Sequence, residues 1–288
     1  MSGSGRVIRP EVYVSIAGGG PAITYLAGGA AAVDARAHVR GWAGASAGSI
    51  VAACKAFGVE DVTIREMISS VLSSGKALDF GVANIPRGGL FDLDIIGELL
   101  DRHIGKGAKL GDARTALVVG VTDLDKAAPL YLSKQRTPNV VVREAVIASS
   151  SFMCGVVPAS AVPSLGTEMS PDVRLFGDGG LTDNTVDAVW DHKPEHRVSL
   201  ALLPQDSGTR IRPGDVAGIL AAIPRALLWA AGQRRSMRHG LDIDIDGSND
   251  WAFVKSPARC AMEWARGYDS AARHSPWFLG VADEPIIG

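Results

Sequence analysis

Twice within its first sixty residues the chain passes from a short apolar stretch through small turn residues into a helix-forming segment. Residues 12–17 read as a strand ending at Gly18-Gly19-Gly20, and residues 23–33 as a helix of small side chains. Residues 38–43 read as a second buried strand stopped by Gly44, and residues 46–57 as a helix ended by Gly58. Strands that alternate with helices bury their faces by layering, so the chain is expected to be α/β with a mainly parallel sheet. Further strands at 117–121, 173–176 and 198–203 and a helix at 140–150 extend the pattern. Amphipathic helices at 62–72 and 93–103, joined by a Gly/Pro-rich loop at 80–89, read as cover over the sheet. No repeat, low-complexity tract or long polar linker divides the sequence, so one domain over 1–288 is expected, with 1–11 as a flexible lead.

Composition narrows the function classes. With 288 residues, 47% of them hydrophobic and 21% charged, the chain can bury a large core and is not disordered. Lys and Arg total 29 against 31 acidic residues, and a net charge of -2 supplies no field for holding polyanions, so no nucleic-acid partner is expected. Cys54, Cys154 and Cys260 are too few and too scattered for a disulfide framework or a zinc module. The first twenty residues lack the pattern of a signal peptide, and no uninterrupted apolar run of about 18 residues occurs. A cytoplasmic protein, soluble or peripheral to a membrane, is the expectation.

Gly44-Ala45-Ser46-Ala47-Gly48 matches G-x-S-x-G where a strand meets a helix, the context in which that pattern carries chemistry. A sharp turn there exposes the Ser46 hydroxyl, Gly44 and Gly48 let neighbouring backbone pass, and the helix N-terminus favours developing negative charge. The plain alternative is a serine N-cap in a glycine-rich turn. A serine needs a base. Of the six histidines, His274 comes latest, but its neighbours read as a helix end. Asp178 is the stronger candidate, since it ends the apolar strand and Gly179 and Gly180 follow it; an ordinary Asp-Gly turn is the competing reading. The amides of Gly18, Gly19 and Gly20 could converge on an anion or an oxyanion. Pro21 and Ile23 argue against a dinucleotide fingerprint there, and no phosphate-loop lysine follows.

The three elements in this order, a GGG loop, GASAG and a downstream DGG, resemble the patatin-like phospholipase family. Leu117-Val-Val-Gly-Val-Thr-Asp-Leu124 is similar to the family's strand before its middle region. VREAVIASSSFMCG, from Val142 to Gly155, looks like its Ala-Ser-Ser helix, and Arg266-Gly-Tyr-Asp269 like part of its late helix. Asp178-Gly-Gly-Leu-Thr-Asp-Asn-Thr185 is similar to its DGGxxxNxP. The resemblance implies a three-layer sandwich with helices flanking the sheet. It also implies a Ser46-Asp178 dyad that dispenses with histidine, an oxyanion hole of Gly18, Gly19 and Gly20 with the Ala47 amide, and an acyl-lipid substrate cleaved through an acyl-enzyme without metal or cofactor. Two departures stand out. The family's basic residue and fourth glycine after GGG are absent, so the hole must form upstream of Pro21, which has no N–H. Residues 152–155 also lack the usual proline.

Two further segments invite a function. Asp242, Asp244 and Asp246-Gly247 begin like a calcium loop, but its twelfth position is Phe253, and the alternation equally describes a strand with one acidic face. Residues 216–239 pair an apolar, Trp229-bearing stretch with Arg234, Arg235 and Arg238, which fits a peripheral membrane contact and equally a core helix with a cationic last turn. A serine lipid acyl hydrolase is the leading expectation, with transfer of the acyl group to another acceptor, or a catalytically impaired membrane-binding module, as alternatives.

Overall fold

A computed structural model describes residues 9–74, 79–80, 91–151, 157–158, 163–168, 175–202, 240–245 and 254–282. In chain order these form β1 (Glu11–Ile16), α1 (Ile23–Asp34), β2 (His38–Ala45), α2 (Ala47–Ala56), α3 (Asp61–Ser74), β3 (Asp79–Phe80), β4 (Phe91–Asp92), α4 (Asp94–Ile104) and β5 (Ala116–Asp123). Then follow β6 (Ala128–Ser133), α5 (Val142–Ser149), β7 (Val157–Pro158), α6 (Pro163–Glu168), β8 (Leu175–Asp178), β9 (Arg197–Leu202), β10 (Leu241–Ile245), α7 (Pro257–Ala272) and α8 (Ser275–Ala282).

The main sheet has the order β10-β9-β1-β2-β5-β8-β7, with β6 also paired to β5. Its first five strands are mutually parallel, while β6 and β8 are antiparallel to β5, and β7 is antiparallel to β8. The result is a mixed sheet of mostly parallel strands flanked by helices, as the alternating pattern required. Side-chain alternation divides its two faces. Val12, Val14 and Ile16 of β1, Leu117, Val119 and Val121 of β5, and Ile243 and Ile245 of β10 join the main core with buried residues of α1, α2, α3, α5 and α7. The opposite face carries a smaller cluster, in which Ala43, Ala45 and Val118 are covered by Val186 and Trp190 of a turn-rich segment. On that side the Ser15 hydroxyl donates to the Val186 carbonyl at 3.3 Å.

Two elements differ from the sequence reading, and a third decides between its alternatives. Gly44 does not stop β2: it lies between Ile16 and Val119 in the middle of the sheet, where ladders on both sides outweigh its low strand propensity, and the strand runs on to Ala45. The β6 strand has no counterpart in the sequence reading; it is bonded to β5, with Pro129 opposite Thr122 near its start, although proline is rare inside a strand. The acidic alternation at 241–245 is a strand, β10, with Ile243 and Ile245 buried and Asp244 exposed. The rest of the supposed calcium loop, 246–250, lies outside the described residues, as do the segments 152–156 and 216–239.

Candidate active site

Strand β2 and helix α2 meet at Ser46, whose backbone has φ 50° and ψ -129°. A non-glycine residue held at positive φ costs on the order of 1–3 kcal/mol, so surrounding contacts must impose it. They do so from both sides. The Ser46 N–H donates to Ser149 Oγ at 2.9 Å, and Ser149 Oγ donates in turn to the Gly120 carbonyl at 2.6 Å. The Ser46 carbonyl accepts from Ser49 Oγ at 2.6 Å and from the Ser49 N–H at 2.9 Å. Both flanking glycines are explained by close approach: a Cβ on Gly48 would lie 2.6 Å from the Ala17 carbonyl oxygen, and one on Gly44 would lie 2.5 Å from the Gly48 carbonyl carbon. Ser46 retains 8% exposure, and the Ala47 amide opens α2, where no intrahelical acceptor exists.

The sheet brings Asp178 to the same place. Residues 118–123 of β5 pair with β6 on one edge, so its other edge is shared, first by β2 up to Ala45 opposite Gly120, then by β8 from Asp178 opposite Val121. Strand β8 thus takes the rung that β2 vacates when the chain turns at Ser46. A Cβ on Gly179 would meet the Gly120 carbonyl carbon at 2.7 Å and Ala45 Cβ at 3.1 Å, which fixes the Asp178-Gly179 corner against the residue before Ser46.

Asp178 is fully buried. Its Oδ1 accepts the Gly180 N–H at 2.7 Å, capping a single 3-10 turn, so the Asp-Gly pair opens a turn of helix and not a hairpin. Oδ2 has no hydrogen-bond partner among the described residues. Burial raises the carboxyl from 3.8 to about 7, with the Ser46 hydroxyl and the Gly180 amide both pulling in the opposite direction. The hydroxyl therefore lies close enough to stabilise the carboxylate, without meeting the full geometry of a hydrogen bond.

The glycine loop stands against the same serine: a Cβ on Gly18 would lie 3.0 Å from Ser46 Cβ and 2.6 Å from Asn184 Oδ1. The Gly18 N–H is already engaged, donating to the Asn184 carbonyl at 3.1 Å and to Asn184 Oδ1 at 3.0 Å. Gly18 thus anchors the loop, while the amides of Gly19 and Gly20 have no acceptor among the described residues. Gly20 adopts φ 50° and leads into a 3-10 turn, Gly20–Ala22, with Pro21 inside it.

Sequence reasoning gave no role to Ser149 or Asn184, although both lie in segments it quoted; their hydrogen-bond partners are 103 and 166 residues away, and only the sheet topology brings them close. None of the described histidines hydrogen-bonds Ser46 or Asp178, and His274 sits just past the end of α7. A cavity of about 800 Å3 lined by Tyr13, Arg40, Arg114, Tyr131, Trp190 and His192 is separate from this site, since Tyr13 and Arg40 lie toward the opposite ends of β1 and β2.

A structure of VipD from Legionella pneumophila is similar at a TM-score of 0.54 and 14% identity, covering 93% of this chain and 67% of VipD. A structure of the type III effector ExoU is similar at a TM-score of 0.45 and 13% identity, covering 94% of this chain and 54% of ExoU. No curated protein matches the sequence. The model of the patatin-like phospholipase family matches residues 14–190, which include the glycine loop, the Ser46 turn and the Asp178 corner and make up more than half of the sequence. By that match the chain belongs to the patatin-like phospholipase family.

Proposed function

We propose that the protein is a serine lipid acyl hydrolase in which Ser46 is the nucleophile and Asp178 its general base. Family membership supports the coarser part, hydrolysis of acyl lipids. The finer part rests on one observation: the strand that leads into the strained serine ends with Ala45 opposite Gly120, and the buried carboxyl of β8 takes the next rung of the same edge of β5, opposite Val121. A carboxyl raised to about 7 suits a base at neutral pH, because it is substantially ionised yet holds a proton once it takes one.

In this reading Asp178 accepts the hydroxyl proton as Ser46 Oγ bonds to the ester carbonyl carbon. The carbonyl oxygen becomes an anion, met by the amides of Gly19, Gly20 and Ala47, a type of contact worth roughly 10²–10³ in rate per donor. The bond to the alcohol then breaks, and Asp178 returns the proton to the leaving oxygen. Water repeats the sequence on the acyl-serine, releasing the carboxylic acid and restoring Ser46. No histidine takes part.

The test combines a covalent label with turnover of a short nitrophenyl ester. A fluorophosphonate should label wild type and spare Ser46→Ala, and Ser46→Ala and Asp178→Asn should each lose at least about a hundredfold in kcat while retaining their circular dichroism. Labelling of Ser46→Ala, or turnover by Asp178→Asn close to wild type, defeats the assignment. Added alcohol acceptors distinguish hydrolysis from acyl transfer by whether product is diverted from free acid.

A further inference from the structure

The Lys255 side chain is fully buried, and so is that of Glu263. Lys255 Nζ donates to Glu263 Oε2 at 2.7 Å and to the Pro21 carbonyl at 2.7 Å; Glu263 Oε1 accepts from Arg259 Nε at 3.0 Å. Lys255 is anchored from behind, its N–H donating to the Leu72 carbonyl at the end of α3 at 3.0 Å. Burying an ion pair is expensive and seldom adds stability over apolar residues of the same volume, so its placement on a loop carbonyl calls for a function.

That carbonyl begins a relay. The Pro21 C=O and the Ala22 N–H belong to one peptide group, and the Ala22 N–H donates to the Gly19 carbonyl at 3.0 Å. The Gly19 C=O and the Gly20 N–H belong to the next. A cation on the Pro21 oxygen therefore polarises two peptides in series, and the chain ends on the Gly20 N–H, which has no acceptor among the described residues. Hydrogen bonds in such a chain strengthen one another, most where water is excluded. The loop's own sequence from Gly18 to Ile23 carries no basic residue, so the charge comes from 234 residues further along.

We propose that Lys255 is a positioning residue of the oxyanion loop: through Pro21 and Ala22 it fixes and polarises the Gly20 amide. This inference rests on the Ser46 reading above. Two variants test it, Lys255→Met and the double variant Lys255→Met with Glu263→Gln. The single change leaves Glu263 buried with part of its pairing lost and should lower Tm; the double change removes both charges and should recover much of that stability. Both remove the cation from Pro21, so both should lose about tenfold in kcat on a nitrophenyl ester and in fluorophosphonate labelling rate, with KM within about twofold of wild type. A purely structural role predicts instead that kcat returns with stability in the double variant, and that result overturns the proposal. So does wild-type kcat in both variants, or a loss carried by KM. Labelling of Ser46→Ala, measured alongside, would fell the catalytic reading itself and this inference with it, which separates the two failures.

Discussion

At the scale of single residues, the role proposed for Asp178 ties catalysis to stability with opposite signs. Its folded-state value of about 7 lies above the ordinary 3.8, so the folded chain holds this proton more tightly than the unfolded one. The stabilising contribution of Asp178 is therefore complete below about 3.8 and is lost as the pH rises through about 7. At pH 8 the buried carboxylate is a burden on the order of a few kcal/mol. Asp178→Asn keeps an acceptor for the Gly180 N–H and never ionises. It should melt above wild type at pH 8, with the gap closing toward pH 5, as calorimetry at the two pH values would show. In the proposed mechanism turnover runs the other way, since Asp178 must be ionised to act as base: kcat/KM of wild type should fall about tenfold per unit below pH 7. Equal melting temperatures at pH 8 would mean that the carboxylate has compensation beyond the Ser46 hydroxyl and the Gly180 amide.

At the scale of elements, the packing beside the sheet depends on how closely two helices can approach. Helices α1 and α7 cross where glycines face each other's chains: a Cβ on Gly28 would lie 3.0 Å from the Trp264 carbonyl carbon, and one on Gly267 would lie 2.7 Å from the Tyr25 carbonyl carbon. Gly267→Ala forces backbone against backbone and should destabilise by about 1–3 kcal/mol. Met262→Ala, on the exposed side of the same helix, should change stability by less than about 0.5 kcal/mol. Urea midpoints decide, and equal midpoints would show that the crossing yields at little cost. The same scale explains what could be read from sequence. GASAG was legible because its strand, its serine and its helix are contiguous, and the glycines at 44 and 48 answer local crowding. The position of Asp178 at the end of an apolar run was legible too, but its pairing with β5 was not, because β8 and β5 are antiparallel neighbours joined through a long intervening segment. Asn184 and Ser149 look like ordinary polar residues until the topology aligns them, and Lys255 gave no local signal.

At the scale of the whole molecule, the candidate site has no home in any one segment. The glycine loop follows β1, Ser46 joins β2 to α2, Gly120 belongs to β5, Ser149 closes α5, Asp178 ends β8, and Lys255 precedes α7. Ser46, Ser149 and Gly120 are linked by hydrogen bonds that span 103 and 29 residues, and Gly18 is held by Asn184 across 166. Strain at Ser46 is sustained only while all of these are in place, so the site cannot outlast the sheet, and the main core joins that sheet to α1, α2, α3, α5 and α7. One cooperative unit is the expectation. In a urea titration the fluorophosphonate labelling rate and the tryptophan fluorescence, with Trp42 and Trp190 both buried against the sheet, should therefore fall with one midpoint. Labelling that fades well below the fluorescence transition would mean that the loop and the serine are organised locally, and the long-range bonds named here would then be dispensable to the reactive geometry.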